Sequence, residues 1–78
     1  MSRALLEYVV PWLVDNPDAI EIVEVEGERD GIVLELTVDP DDVGKVIGKR
    51  GRIIRALRTL AKASQREGSG SIMVEVMD

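Results

Sequence analysis

The residues best suited to chemistry lie together in one stretch, Val46-Ile47-Gly48-Lys49-Arg50-Gly51-Arg52-Ile53-Ile54. Two glycines flank two cations there. Without Cβ atoms, Gly48 and Gly51 permit a tight turn and close approach by another backbone. The first amides of a following helix point outward unsatisfied, and the positive end of its dipole favours an anion. Lys49 and Arg50 add two full charges. Such a loop suits the sugar–phosphate backbone of a nucleic acid, although Gly-x-x-Gly alone also serves as a plain turn between helices.

Charge is sorted along the chain in a way that supports the first reading. The 78 residues carry 10 Lys and Arg against 15 Asp and Glu, a net charge of −5. Residues 1–42 hold twelve acidic and two basic side chains. Residues 43–66 hold eight basic ones (Lys45, Lys49, Arg50, Arg52, Arg55, Arg58, Lys62 and Arg66) and none that is acidic. This pattern predicts one local basic surface on an otherwise anion-repelling protein.

The composition excludes much else. The absence of His and Cys removes disulfides, thiol chemistry, zinc fingers and histidine general bases. No cofactor or small-molecule substrate is expected. No apolar run approaches the ~20 residues needed to span a bilayer. The N-terminus lacks the marks of a secretory signal, so a cytoplasmic location is expected. Gly44, Gly48 and Lys49 miss the phosphate-loop spacing by one residue, and Arg50 stands where a magnesium-binding hydroxyl belongs. Asp39, Asp41 and Asp42 lack the calcium-loop pattern and read as helix capping.

The elements that must position the loop follow from periodicity. Residues 2–15 read as a helix capped by Ser2, with Leu5, Leu6, Val9, Trp12 and Leu13 on its apolar face. Pro11 predicts a kink or an early end, and Asn16-Pro17-Asp18 a stop. Tyr8 and Trp12, the only aromatics, are assigned to core packing. Ile20–Glu26 reads as a strand whose phase slips between Ile22 and Val23, suggesting a bulge. Ile32, Leu34, Leu36 and Val38 define one face of a second strand. Asp39 and Pro40 start a short helix bearing Val43, Val46 and Ile47, which Gly48 ends as a left-handed residue.

From Gly51 to about Arg66 a longer helix buries Ile53, Leu57, Leu60, Ala61 and Ser64, with Ile54 at the edge. Arg52, Arg55, Arg58, Lys62 and Arg66 share its opposite side. Residues 67–71 read as a linker, and Ile72, Val74 and Val76 as a third strand. The predicted fold is one α+β domain of order α-β-β-α-α-β, with three helices on one face of a mixed three-stranded sheet.

Residues 43–57, Val-Gly-Lys-Val-Ile-Gly-Lys-Arg-Gly-Arg-Ile-Ile-Arg-Ala-Leu, resemble the G-x-x-G signature of KH domains. The element order resembles the bacterial type II arrangement, and the whole chain resembles the small KhpA family. The resemblance implies that residues 1–78 form one KH domain. It implies that Gly48, Lys49, Arg50 and Gly51 clamp single-stranded RNA, with about four nucleotides bound. It also implies that Ile47 belongs to the groove floor and that Val43 and Ile54 line the groove.

Lys45, Arg52 and Arg55 complete the expected RNA-binding set, the two arginines because they lie within a turn or so of Gly51. Arg58, Lys62 and Arg66 are expected to form a solvated face that adds only long-range attraction. The resemblance further implies a homodimer, or a heterodimer with a KhpB (Jag)-type KH protein, RNA chaperone activity and a link to cell elongation. It implies no catalytic residue. The competing expectation is a KH-shaped protein-interaction module with no direct RNA role.

Overall fold

The computed structural model describes residues 2–64 and 70–77. Helices α1 (Ser2–Val9), α2 (Val43–Ile47) and α3 (Arg52–Ala63) pack on strands β1 (Glu21–Glu26), β2 (Ile32–Thr37) and β3 (Ile72–Val76). The strand order is β1-β2-β3, with β1 antiparallel and β3 parallel to the central strand. The architecture is the expected α+β layer pair.

Each element reflects its local chemistry. Pro11 cannot donate the amide a continuing helix would need. The chain accordingly leaves α1 at Val9 and tightens into a 3₁₀ turn over Val10–Trp12. Asn16 and Pro17 stop it, and a second 3₁₀ turn (Pro17–Ala19) leads into β1. Asp39 caps the entry to α2 by accepting the Asp41 N–H at 2.9 Å. The entry itself is a 3₁₀ turn, Pro40–Asp42, so the α-helical part is shorter than the sequence suggested.

Leu34 and Leu36 of β2 and Val74 of β3 are fully buried beneath Leu6, Val10, Val46, Ile54, Leu57 and Ala61 of the helical layer. Removing each such side chain from water contributes about 1.5–3 kcal/mol. The strands alternate, so Val23, Val25, Val33 and Met73 fall on the face the helices leave bare.

Four expectations change. The β1–β2 register runs from Glu21↔Thr37 to Glu26↔Ile32 without interruption, so there is no bulge. The phase slip is resolved by leaving Val23 and Val25 on the open face. Trp12 and Tyr8 are not in the core: they are 81% and 71% exposed. The buried residues of this segment are Leu6, Val10 and Val14. At about 100° per residue Tyr8 lies about 160° from Leu6 on α1, and Trp12 ends the 3₁₀ turn with its side chain in solvent. On α3 the buried residues are Ile54, Leu57 and Ala61. Leu60 is exposed and Ile53 only partly buried, a small rotation from the expected stripe. Helix α3 ends at Ala63 with Ser64 as its cap, before Arg66. Arg66, most of the 67–71 linker and the Ser2 side chain lie outside the described residues.

The join between α1 and α2 is polar. Asp42 is 2% exposed, the one charged group buried among the described residues. Its Oδ2 accepts the Asn16 N–H at 3.0 Å and its Oδ1 accepts Lys45 Nζ at 3.3 Å. The Asn16 side-chain amide donates to Asp39 at 3.1 Å, and Lys45 also donates to Asp15. Burial pushes the Asp42 carboxyl up, but the amides of Asn16 and Asp15 and the Lys45 ammonium outweigh it and hold it below 3.8. A depressed carboxyl stabilises the fold at pH values above its unfolded pKa. That contribution is expected to be complete above pH 3.8 and to vanish as pH falls through the lower folded value. Acid titration of Asp42→Asn, followed by circular dichroism, should show a flatter acid limb than the parent; identical limbs would remove Asp42 from this role.

Candidate nucleic-acid interface

The loop between α2 and α3 is a compact turn closed by the Gly51 N–H donating to the Gly48 carbonyl at 3.0 Å. Gly48 has φ 77° and ψ 170°, positive as expected but extended, whereas Gly51 (φ 73°, ψ 17°) is left-handed helical. A Cβ on Gly48 would sit 2.6 Å from Ile53 Cγ1 and 2.9 Å from the Ile53 amide nitrogen. One on Gly51 would meet only Ile54 Cγ2, at 3.9 Å. Arg50 also takes a left-handed conformation, φ 58° and ψ 26°. That geometry disfavours a long side chain and is retained here at the tip of a cationic turn.

The expected site residues separate into three groups. Lys49, Arg50 and Arg52 are exposed at the loop and the first turn of α3, and none of them enters an ion pair among the described residues. Arg55 is exposed too, but one guanidinium nitrogen donates to the Arg50 carbonyl at 3.0 Å. It therefore holds the loop while presenting charge beside it. Ile47 is exposed at the end of α2 and Val43 half-buried nearby, positions that fit an aliphatic groove floor.

Lys45 is engaged elsewhere. Its ammonium pairs with Asp15 and Asp42, which compensates its charge within the protein. The hydrogen bond it donates to Asp15 raises its pKa above 10.5 against the opposing effect of burial. Ile54 belongs to the core and offers the groove little surface.

Arg58 is the largest departure. It does not lie on a solvated face: its Nε donates to the Val74 carbonyl at 3.0 Å and the side chain is half-buried. Ser71 accepts from Ile32 and Met77 donates to Leu36, so the odd-numbered residues of this strand point at β2. The Val74 carbonyl consequently points off the open edge, where Arg58 covers it. Helices α2 and α3 both neighbour β3, so the turn, the two helices and this strand lie close together in the fold. Arg58→Gln should lower stability by about 1–2 kcal/mol in urea unfolding, because a charged donor leaves a strand acceptor uncovered. An unchanged midpoint would show that water replaces it fully.

A cationic, exposed turn with a glycine whose surroundings leave no room for a Cβ, beside the exposed Ile47 and half-buried Val43, is suited to gripping a nucleic-acid backbone and contacting a few bases. Comparisons with known proteins agree. Residues 3–76 match the family model described as KhpA/KhpB, KH domain. An RNA-binding protein KhpA from Oceanobacillus iheyensis is 49% identical over 75 residues, covering 96% of this chain and 99% of the relative. The protein of that name from Caldanaerobacter subterraneus subsp. tengcongensis is 47% identical over 73 residues, covering 94% and 96%. That from Streptomyces coelicolor is 44% identical over 78 residues, covering 100% and 94%. No solved structure matches the chain. With both the loop geometry and near-complete coverage of these relatives in agreement, this chain belongs to the KhpA/KhpB family of KH domains, which is not a family of enzymes.

Proposed function

We propose that this protein binds single-stranded RNA, gripping the backbone with Gly48, Lys49, Arg50 and Gly51 and accommodating bases against Ile47 and Val43. The observation that carries this reading is the exposed Lys49–Arg50 turn held by Gly48 and by Arg55 on the Arg50 carbonyl. Arg52 and Arg55 add phosphate contacts at the start of α3. The name its relatives carry, RNA-binding protein KhpA, supports the same ligand.

The clamp touches few phosphates, so a single domain binds weakly. With about three to four phosphates neutralised, log K against log salt should slope near −2 to −3 for a single strand. Fluorescence polarisation with a random single-stranded RNA pool measures this, and a slope near zero would remove the basic turn as the contact surface. Tight binding then requires a second clamp brought close by association. The exposed Tyr8, Trp12 and Leu60 on the helical layer support pairing with a second copy or with another KH protein of the KhpB type. In that form the protein acts as an RNA chaperone or post-transcriptional regulator in the cytoplasm, in a pathway tied to cell elongation.

A further inference from the structure

The helices cover only one side of the sheet, and the other side has a composition of its own. The register sets Val25, Val33 and Met73 side by side across the three strands. The next row is Val23, Glu35 and Glu75, and Glu21 and Thr37 follow. Val23 and Met73 are exposed, as is Met77 just beyond β3, while the cross-strand partners Val25 and Val33 are half-buried. Methionine adapts its shape to varied partners, which suits a docking face.

The second observation is electrostatic. Glu35 and Glu75 are direct cross-strand partners, about 4.8 Å apart at the backbone. Like charges so placed destabilise a sheet. No cation pairs with either among the described residues. The strand residues of this face include three glutamates and no lysine or arginine.

We infer that this open sheet face docks a short cationic segment of another protein, with basic side chains meeting Glu35 and Glu75 and an apolar one resting on Val25, Val33 and Met73. Nucleic acid is repelled there. The patch measures about 14 Å by 20 Å, about 300 Å². A stable interface between folded domains needs about 800 Å² per partner, so the area favours a peptide segment over a second domain. The face lies on the side of the sheet away from the helices that carry the RNA-binding turn, so both ligands can be held together. The inference stands whether or not the RNA reading does.

The test uses the full chain labelled with nitrogen-15 and a dodecapeptide of alternating lysine and valine, followed by amide chemical shifts. A glutamate–valine dodecapeptide is the control, and single-stranded RNA is titrated separately. The lysine peptide should move the amides of Val25, Val33, Glu35, Met73 and Glu75 and leave Gly48–Gly51 in place. Glu35→Lys with Glu75→Lys should weaken it at least about tenfold, whereas Glu7→Lys with Asp18→Lys, an equal charge change elsewhere, should alter it less than about twofold.

Val33→Thr with Met73→Ser reads the apolar half without changing charge, and covers the case in which the lysine variant does not fold. Equal loss in both charge variants would mean diffuse attraction and overturn the proposal. So would shifts confined to the helical layer, or a mass doubling that tracks the same residues and assigns the face to a second copy. Loss of RNA binding alone would touch only the function proposed above.

Discussion

Gly48→Ala should unfold at a markedly lower urea concentration than the parent, with a stability loss of about 3 kcal/mol. Two effects act together. The combination of φ 77° and ψ 170° belongs to a region open essentially to glycine alone, where strain costs about 1–3 kcal/mol. The new methyl group would also overlap Ile53 at a distance real Cβ atoms do not reach, and the nearest atoms include backbone that cannot rotate away. Gly51→Ala is the internal comparison. Its left-handed conformation costs about 1 kcal/mol, but the space around it is open. Equal losses for the two variants would show that the loop relaxes, and that Gly48 is conformationally replaceable. The two glycines of the motif thus do different jobs.

Replacing Lys49 and Arg50 together by Asp should abolish measurable RNA binding, a loss of about a hundredfold or more, since two charged phosphate contacts become repulsions. Stability should change by less than about 0.5 kcal/mol, as for other exposed sites without structural partners. At position 50 the change is conformationally mild, because Asp tolerates the left-handed region better than Arg. The Arg55 bond to residue 50 uses the main-chain carbonyl and survives the substitution. Polarisation against single-stranded RNA, with thermal unfolding alongside, measures both effects. Undiminished affinity would favour the protein-interaction module.

Features carried by local spacing were legible in the sequence. The two glycines, the Asp39–Pro40 helix start, the Pro11 break and the alternation of β2 each act within a few residues of themselves. What escaped depends on contacts between distant segments. Arg58 and Lys45 read as free cations because periodicity knows nothing of Val74, sixteen residues away from the first, or of Asp15, thirty from the second. Trp12 and Leu60 read as core because they are apolar and near the stripe. Which edge of a helical stripe is covered depends on where its neighbours lie, and helix spacing alone leaves that open. The expected bulge in β1 failed for a related reason: a face with no helix over it tolerates valine outside.

The parallel pairing of β2 with β3 has a kinetic consequence. These strands are joined across the whole span from Val38 to Ser71, and that span contains α2, the cationic turn and α3. The β1–β2 hairpin closes locally and should form early, whereas β3 must find its place through a long loop closure. Helix α2, at five residues, is too short to persist without its neighbours. The turn therefore acquires its shape only when the crossover is complete, so RNA held there selects molecules in which β3 is docked. Bound RNA should slow amide exchange at Leu34 and Leu36, whose amides the turn never touches, because exchange there requires the crossover to open.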